Sequence, residues 1–173
     1  MKILVLTISL FSVLLVSSCT SAPPIKTQEY AAVPFARVFE YEFSTVWKAI
    51  EVALKDHKIE SRNPSKVDAL ELRKMTQRSL QTDWIYGQSR DKYQEYTVND
   101  SPRKRFLQTR VKFKLIARSV MGGVEVEVRP EEEVEKLASD GSSLGYQSVD
   151  MPDPSRVDEI LKKINQAILS AAP

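Results

Sequence analysis

The sequence predicts an α+β domain in which an antiparallel sheet carries two main helices on one face, in the order β-α-β(n)-α. Apolar and polar residues alternate over residues 35–43 and again over residues 103–128, which is typical of half-buried strands. In residues 45–57 and 155–168 the apolar residues recur at helical spacing instead. Of the 173 residues, 155 remain after the first eighteen, which is one domain's length. Residues 35–173 are therefore predicted to form a single domain.

The N-terminal residues 1–18 have the features of a secretory signal peptide. Lys2 precedes an apolar run over residues 3–16, and the small residues Ser17 and Ser18 follow it. The run is about 14 residues long, whereas a membrane-spanning helix needs roughly 20. A cleaved signal is therefore favoured over a spanning anchor.

Residues 16–19, VSSC, resemble the lipobox of bacterial lipoproteins. The resemblance implies that Cys19 is lipidated. It also implies the outer membrane as destination, because Thr20 stands where an aspartate usually signals retention in the inner membrane. The alternative for Cys19 is a free or intermolecularly paired thiol. Residues 20–34 contain three prolines and little periodicity, so residues 19–34 are predicted to be the lipidated cysteine and a flexible tether.

The composition excludes several classes of function. Lys plus Arg number 25 and Asp plus Glu number 23, so the net charge of +2 does not predict a nucleic-acid partner. With one cysteine the chain forms no internal disulfide and no cysteine metal cluster. No metal or cofactor is predicted.

The first half of the domain is predicted to be one strand, one helix and a strand pair. Residues 35–43 form the strand, and Ser44 caps a helix over residues 45–57. A short strand follows at residues 58–62. Residues 69–75 and 80–86 both alternate and are predicted to pair as antiparallel strands.

The second half is predicted to contain a hairpin between two long loops, residues 87–102 and residues 138–152. The hairpin turns at Gly122-Gly123, which places Ala117 opposite Val128 and Arg118 opposite Glu127. After the second loop, Pro154 and a capping box of Ser155 with Asp158 begin the closing helix.

Four cations of the hairpin point away from its apolar face. They form either a solvated face paired with nearby glutamates, which cross-strand geometry favours, or an anion-binding stripe. The four are Arg110, Lys112, Lys114 and Arg118.

The order of elements resembles helix-grip domains, and among these it resembles the BamC-like lipoproteins of the outer membrane. The resemblance covers about residues 36–170. The short motifs that carry it are the lipobox at residues 16–19, FSTVW at residues 43–47, TDWI at residues 82–85, the Arg-rich strand at residues 103–110 and the valine strand after the glycine turn. The resemblance implies the type of domain and its location at the outer membrane. The family carries two such domains and a long N-terminal docking segment. This chain has room for one domain and a short tether, so docking by that segment is not implied.

Three classes of function compete. The lipid anchor and the tyrosine-bearing loops favour an interaction module in the cell envelope that faces the periplasm. Tyr and Arg dominate the hot spots of protein interfaces. The predicted contact residues are therefore Tyr93, Tyr96, Arg103 and Arg105. The alternative is a carrier of a lipid or small apolar ligand between the long helix and the sheet. Its candidate lining is Trp84, Tyr86 and Phe113, which are otherwise ordinary core residues.

An enzyme is the third class and is not favoured. The one histidine, His57, has no Ser-His-Asp order or metal-ligand spacing around it. The consecutive acids at residues 131–133 are predicted to be a solvated surface rather than a pair for acid–base catalysis. No catalytic residue is predicted.

Overall fold

The computed structural model describes residues 23–28, 33–138 and 140–171. The predicted signal peptide and Cys19 lie outside the described residues. Within them the fold is α+β, as predicted, and contains one curled antiparallel sheet of eight strands and three helices. In chain order the elements are β1 Lys26–Thr27, β2 Ala36–Phe39, α1 Phe43–Ala53, β3 Ile59–Asn63, α2 Ala69–Lys74, β4 Gln77–Thr82, β5 Ile85–Val98, β6 Ser101–Val120, β7 Gly123–Leu137, β8 Ser143–Ser148 and α3 Pro154–Ala171.

The two longest strands, β6 and β7, form the centre of the sheet. Along the free edge of β6, β5 pairs with residues 101–111 and β4 pairs with residues 114–118, so these two strands lie end to end. The outer edge of β7 is shared in the same way by β2 and β8. Strands β3 and β1 lie outermost, beside β4 and β5. The sheet is therefore five strand positions wide although it has eight strands.

The break between β4 and β5 corrects the prediction of one strand over residues 80–86. The Asp83 amide donates to the Lys58 carbonyl (2.8 Å), and the Asp83 carboxylate accepts from the Trp84 amide (2.8 Å) and from Lys58 Nζ (2.7 Å). Because these bonds turn the chain toward Lys58, β4 ends at Thr82 and β5 begins at Ile85.

Side chains from α1, α3 and the sheet share one hydrophobic core. Its strand members alternate along β6 and β7, and we call the face that bears them the core face and the opposite face the outer face. The helix members confirm the predicted apolar stripes. They are Phe43, Val46, Trp47, Ala49 and Ile50 of α1 with Val157, Ile160, Leu161, Ile164 and Ile168 of α3. No helix among the described residues is long and apolar enough to cross a membrane.

The helix caps differ from those predicted. Helix α1 begins at Phe43 after Glu42, which makes no side-chain cap, so Ser44 does not cap it. At α3 the Asp153 carboxylate accepts from the Ser155 amide (2.9 Å), so the cap lies two residues before the predicted one. Pro154 is the first helical residue, as predicted.

Helix α2 corrects a predicted strand, since residues 69–75 were expected to alternate. The Asp68 carboxylate accepts from the Leu70 and Glu71 amides, and Glu71 reaches back to the Asp68 amide. This reciprocal capping box starts a helix, and only Leu72 of its residues is buried. The predicted pairing with residues 80–86 is therefore wrong.

Both predicted loops contain strands. Residues 87–102 belong to the hairpin of β5 and β6, which turns at Asn99 (φ 49°) and Asp100 (φ 60°), the positive angles of a two-residue type I′ turn. Within residues 138–152, Ser143–Ser148 forms β8. The alternation signal is weak in both places because most of these side chains are exposed.

The hairpin of β6 and β7 forms, but in a register two residues from the predicted one. Val120 pairs with Gly123, so the turn residues are Met121 and Gly122, and Ala117 lies opposite Val126. An even shift leaves each side chain on its expected face.

Candidate functional site

The hairpin of β5 and β6 extends past the rest of the sheet. Strand β7 pairs with β6 only from Thr109 to Val120, so residues 93–106 form a two-stranded ribbon that β7 does not cover. We call this ribbon the arm. Its last residues on both strands are exposed. It contains all four residues predicted to contact a partner.

The arm brings three of those four residues together. Tyr96 lies directly opposite Arg103, and Arg105 lies opposite Gln94 two pairs along the strands, so Tyr96, Arg103 and Arg105 share a face. Tyr96 is 49% exposed. Tyr93 lies on the other face, where its ring packs 5.8 Å from that of Phe106 and lies under Lys104 Nζ (4.3 Å).

The N-terminal segment is attached to the arm. Lys26 and Thr27 form β1 beside Tyr93 and Lys92, and Lys26 Nζ contacts Glu95 Oε2 at 2.6 Å. The hydrogen bond that Lys26 donates to the Glu95 carboxylate raises the pKa of Lys26. Gln94 Nε2 donates to the Pro23 carbonyl at 2.9 Å. Residues 23–28 lie within the segment predicted as a flexible tether, yet they pair with the sheet.

A second surface lies on the outer face at the middle of the sheet. Arg110 is held between two rings, with its Cζ 4.5 Å from the ring centre of Trp84 and 4.6 Å from that of Tyr146. Lys112 Nζ lies 4.8 Å from the Trp84 ring, and Tyr86 meets Tyr146 edge to face at 6.3 Å. We call these five residues the aromatic–arginine patch. Tyr86 is 63% exposed, so the patch is open to a partner.

The cations of the outer face are paired with carboxylates. Arg110 Nε donates to Glu133 Oε2 (2.7 Å), which raises the pKa of Arg110. Lys112 Nζ donates to Glu60 Oε2 (3.0 Å), which lowers the pKa of Glu60. Arg118 contacts Glu127 at 3.2 Å, now as a diagonal rather than an opposed pair. For these three cations the self-paired face is confirmed over the anion-binding stripe.

The predicted ligand lining is divided between the two faces of the sheet. Trp84 contacts Arg110 and Lys112 on the outer face, and Tyr86 lies beside them. Phe113 follows Lys112 on the same strand, so it points the other way, and it is buried in the core. Trp84, Tyr86 and Phe113 therefore do not line one cavity.

A buried polar cluster lies at the base of the arm, and the sequence reading missed it. Lys92 Nζ contacts Asp91 Oδ2 (2.6 Å) and Glu132 Oε2 (3.2 Å), with Lys92 1% and Glu132 2% exposed. Glu132 also accepts from Thr109 Oγ1 (2.9 Å) and from the Asp153 amide (2.7 Å). The prediction of a solvated surface is thus wrong for Glu132. The alternation pattern could have predicted the burial of Glu132, because β7 continues past Pro130 and alternation places residue 132 on the core face.

The described residues contain no group of three His, Cys, Asp or Glu side chains placed to hold a metal ion. His57 is half-buried after α1, where burial and the charge of Lys163 lower its pKa. An open groove of about 330 Å³ between α3 and the sheet has His57, Ile85, Phe113 and Ile160 among its lining.

Comparison with known proteins adds no relative. No protein-family model matches the chain, and the curated proteins contain no match.

Proposed function

We propose that the chain is a lipoprotein anchored in the outer membrane through Cys19, facing the periplasm, and that it acts as a non-catalytic interaction module in envelope assembly. The observation that carries the proposal of a protein partner is the exposed aromatic–arginine patch. Its location and lipidation are proposed from residues 1–19, whose pattern is that of a signal peptide with a lipobox.

The composition of the patch supports a protein partner. Tyr, Trp and Arg are the residues that most often dominate the energy of protein interfaces. Here Arg110 is already fixed between Trp84 and Tyr146 and bonded to Glu133, so less side-chain freedom is lost on binding. Because that guanidinium is neutralised by its own carboxylate, the patch suits an interface better than a nucleic acid or free anion.

The arrangement of the helices supports the finer fold type. Buried residues of α1 and α3 belong to the same core as the core face, and the two helices contact each other. This agrees with a helix-grip arrangement of the BamC-like type, in which the long closing helix lies along the sheet.

Photo-crosslinking in intact envelopes tests the proposal. A crosslinking amino acid at Tyr86 is expected to capture an envelope protein, whereas one at Val52, equally exposed on α1, captures none. Tyr86→Ala, made in a chain that carries the crosslinker at Leu144, is expected to weaken capture by more than about tenfold, as removal of a hot-spot residue does. Equal capture from Tyr86 and Val52 would show that the patch is not the interface. Loss of acyl labelling in Cys19→Ala tests the anchor separately.

The groove beside α3 favours the lipid or apolar-ligand carrier as a second candidate. Its lining includes the apolar side chains of Ile85, Phe113 and Ile160, and it also includes Arg156 and Lys163, with Glu159 as its one acid. This suits an amphipathic ligand with an anionic head, and its volume lies at the lower end of ligand pockets. Native mass spectrometry after gentle extraction is expected to show a bound lipid if the candidate is correct, and a bare chain rejects it.

A further inference from the structure

We propose that the arm lies against the phosphate headgroups of the bilayer that carries the lipid anchor. The inference rests on the proposed lipidation of Cys19 and names a second contact with the same membrane. It reassigns Tyr96, Arg103 and Arg105, which the sequence predicted to contact a protein partner. Three observations support it: the attachment of the N-terminal segment to the arm, the short reach from there to Cys19, and the chemistry of the arm.

The pairing of β1 directs the chain toward the end of the arm. β1 is antiparallel to β5, so residues before Lys26 run in the direction in which β5 approaches its turn at Asn99. The hydrogen bond from Gln94 to the Pro23 carbonyl continues this direction for three more residues. Pro23 lines a groove together with Tyr96 and Arg105. The exit point of the N-terminal segment is therefore on the arm itself.

The distance from that exit point to the anchor is short. Only residues 20–22 separate Cys19 from Pro23, so the two are at most about 14 Å apart when fully extended. A free tether over residues 20–34 would allow about 50 Å. The attachment thus holds the arm within reach of the headgroups at a high effective concentration.

The arm has the side chains that a phosphate surface attracts. Arg103 and Arg105 on one face of the arm and Lys104 on the other are exposed, and guanidinium groups bind phosphate through two hydrogen bonds. Glu95, one of its two acids, is paired with Lys26. Tyr96 and Val98, 44% exposed, lie near the end of β5, and tyrosine is enriched at the membrane–water interface. A lipid chain with a basic patch is a stable combination of two membrane signals.

The experiment uses the lipidated full-length protein in vesicles of phosphatidylethanolamine and phosphatidylglycerol. Cys19 is the only cysteine, and in the proposed lipidated protein its sulfur is blocked as a thioether, so Val98→Cys provides a single free thiol for a fluorophore at the arm. Met121→Cys, fully exposed at the turn of β6 and β7, is the matched control. Quenching by headgroup-labelled lipid is expected to be about tenfold stronger at residue 98 than at residue 121.

Neutralising the cations tests the chemistry. Arg103→Gln, Lys104→Gln and Arg105→Gln combined are expected to reduce quenching at residue 98 by about tenfold while the protein stays on the vesicle through its lipid. Raising the salt to about 0.5 M is expected to act in the same direction, because exposed charges are screened.

Two results overturn the inference: equal quenching at residues 98 and 121, or quenching that the triple substitution leaves unchanged. Crosslinking of the arm to an envelope protein with no quenching at residue 98 assigns the arm to a protein partner instead. These failures differ from failure of the proposed function. The proposed function fails if Cys19 takes up no acyl label, or if a crosslinker in the aromatic–arginine patch captures no protein.

Discussion

At the scale of single residues, the least expected group is Glu132. Its two oxygens accept from Lys92, Thr109 and the Asp153 amide, and all of these are buried. An ion pair in such a place is stable only when its remaining hydrogen bonds are satisfied. Glu132 also ties α3 to the base of the arm, because Asp153 caps that helix.

Glu132→Ala is therefore expected to lower the free energy of unfolding by about 1–3 kcal/mol, because the Asp153 amide and Lys92 each lose a buried acceptor while Lys92 keeps Asp91. The adjacent Glu131→Ala is the control, because Glu131 is exposed, and it is expected to change stability by no more than about 0.5 kcal/mol. Urea denaturation of both variants measures the difference. Similar losses in the two variants would mean that the cluster contributes no more than a surface carboxylate.

At the scale of elements, the β6–β7 turn is fixed by its neighbour β2. A Cβ on Gly123 (φ +150°) would lie 2.2 Å from the Phe39 carbonyl oxygen, and Phe39 pairs with Val124. Both glycines of the predicted turn suit positive φ, so local chemistry did not decide between the two registers. The packing of β2 on β7, a contact distant in sequence, is what excludes a side chain at residue 123.

Gly123→Ala is expected to destabilise the domain by about 1–3 kcal/mol more than Gly145→Ala. Gly145 also has positive φ (+93°), but nothing lies within 4 Å of its added Cβ. Gly145→Ala therefore measures the cost of a positive φ without a steric clash. Thermal unfolding of the two variants makes the comparison. If Gly145→Ala costs as much as Gly123→Ala, contact with Phe39 does not fix the turn.

The elements that the sequence predicted well are those with a buried side. The alternation of β6 and β7 and the stripes of α1 and α3 were visible because one face of each enters the core. Residues 95–102 of the arm were interpreted as part of a loop because their side chains are exposed, and hydrogen bonding rather than burial holds the two strands together there. For the same reason Tyr146 of β8 was missed as part of the aromatic–arginine patch.

At the scale of the whole molecule, one histidine dominates titration between about pH 5.5 and 7. Burial and Lys163 lower the pKa of His57 from its ordinary 6.5, so the folded domain keeps it neutral where the unfolded chain takes up a proton. The unfolded state then binds more protons, and stability falls as pH falls through the ordinary value.

The urea midpoint is accordingly expected to decrease from pH 7 to pH 5.5, and by a small amount because His57 is only partly buried. His57→Gln is expected to flatten this dependence while it leaves the midpoint at pH 7 nearly unchanged. A variant that keeps the full slope would assign the pH dependence to the carboxylates.

The two-residue strand β1 also has a mechanical consequence. Tension on the lipid would pull the chain along β1, across hydrogen bonds that lie perpendicular to it, so the bonds to β5 and the Lys26–Glu95 contact are loaded together in shear. Ile25 beside them packs on Leu107, Val134 and Leu137, a small cluster separate from the main core. If Cys19 carries the proposed lipid, force from the membrane would be resisted first by this cluster. If the cluster and β1 yielded, the load would pass next to β2, which pairs with β7 from Ala36 onward.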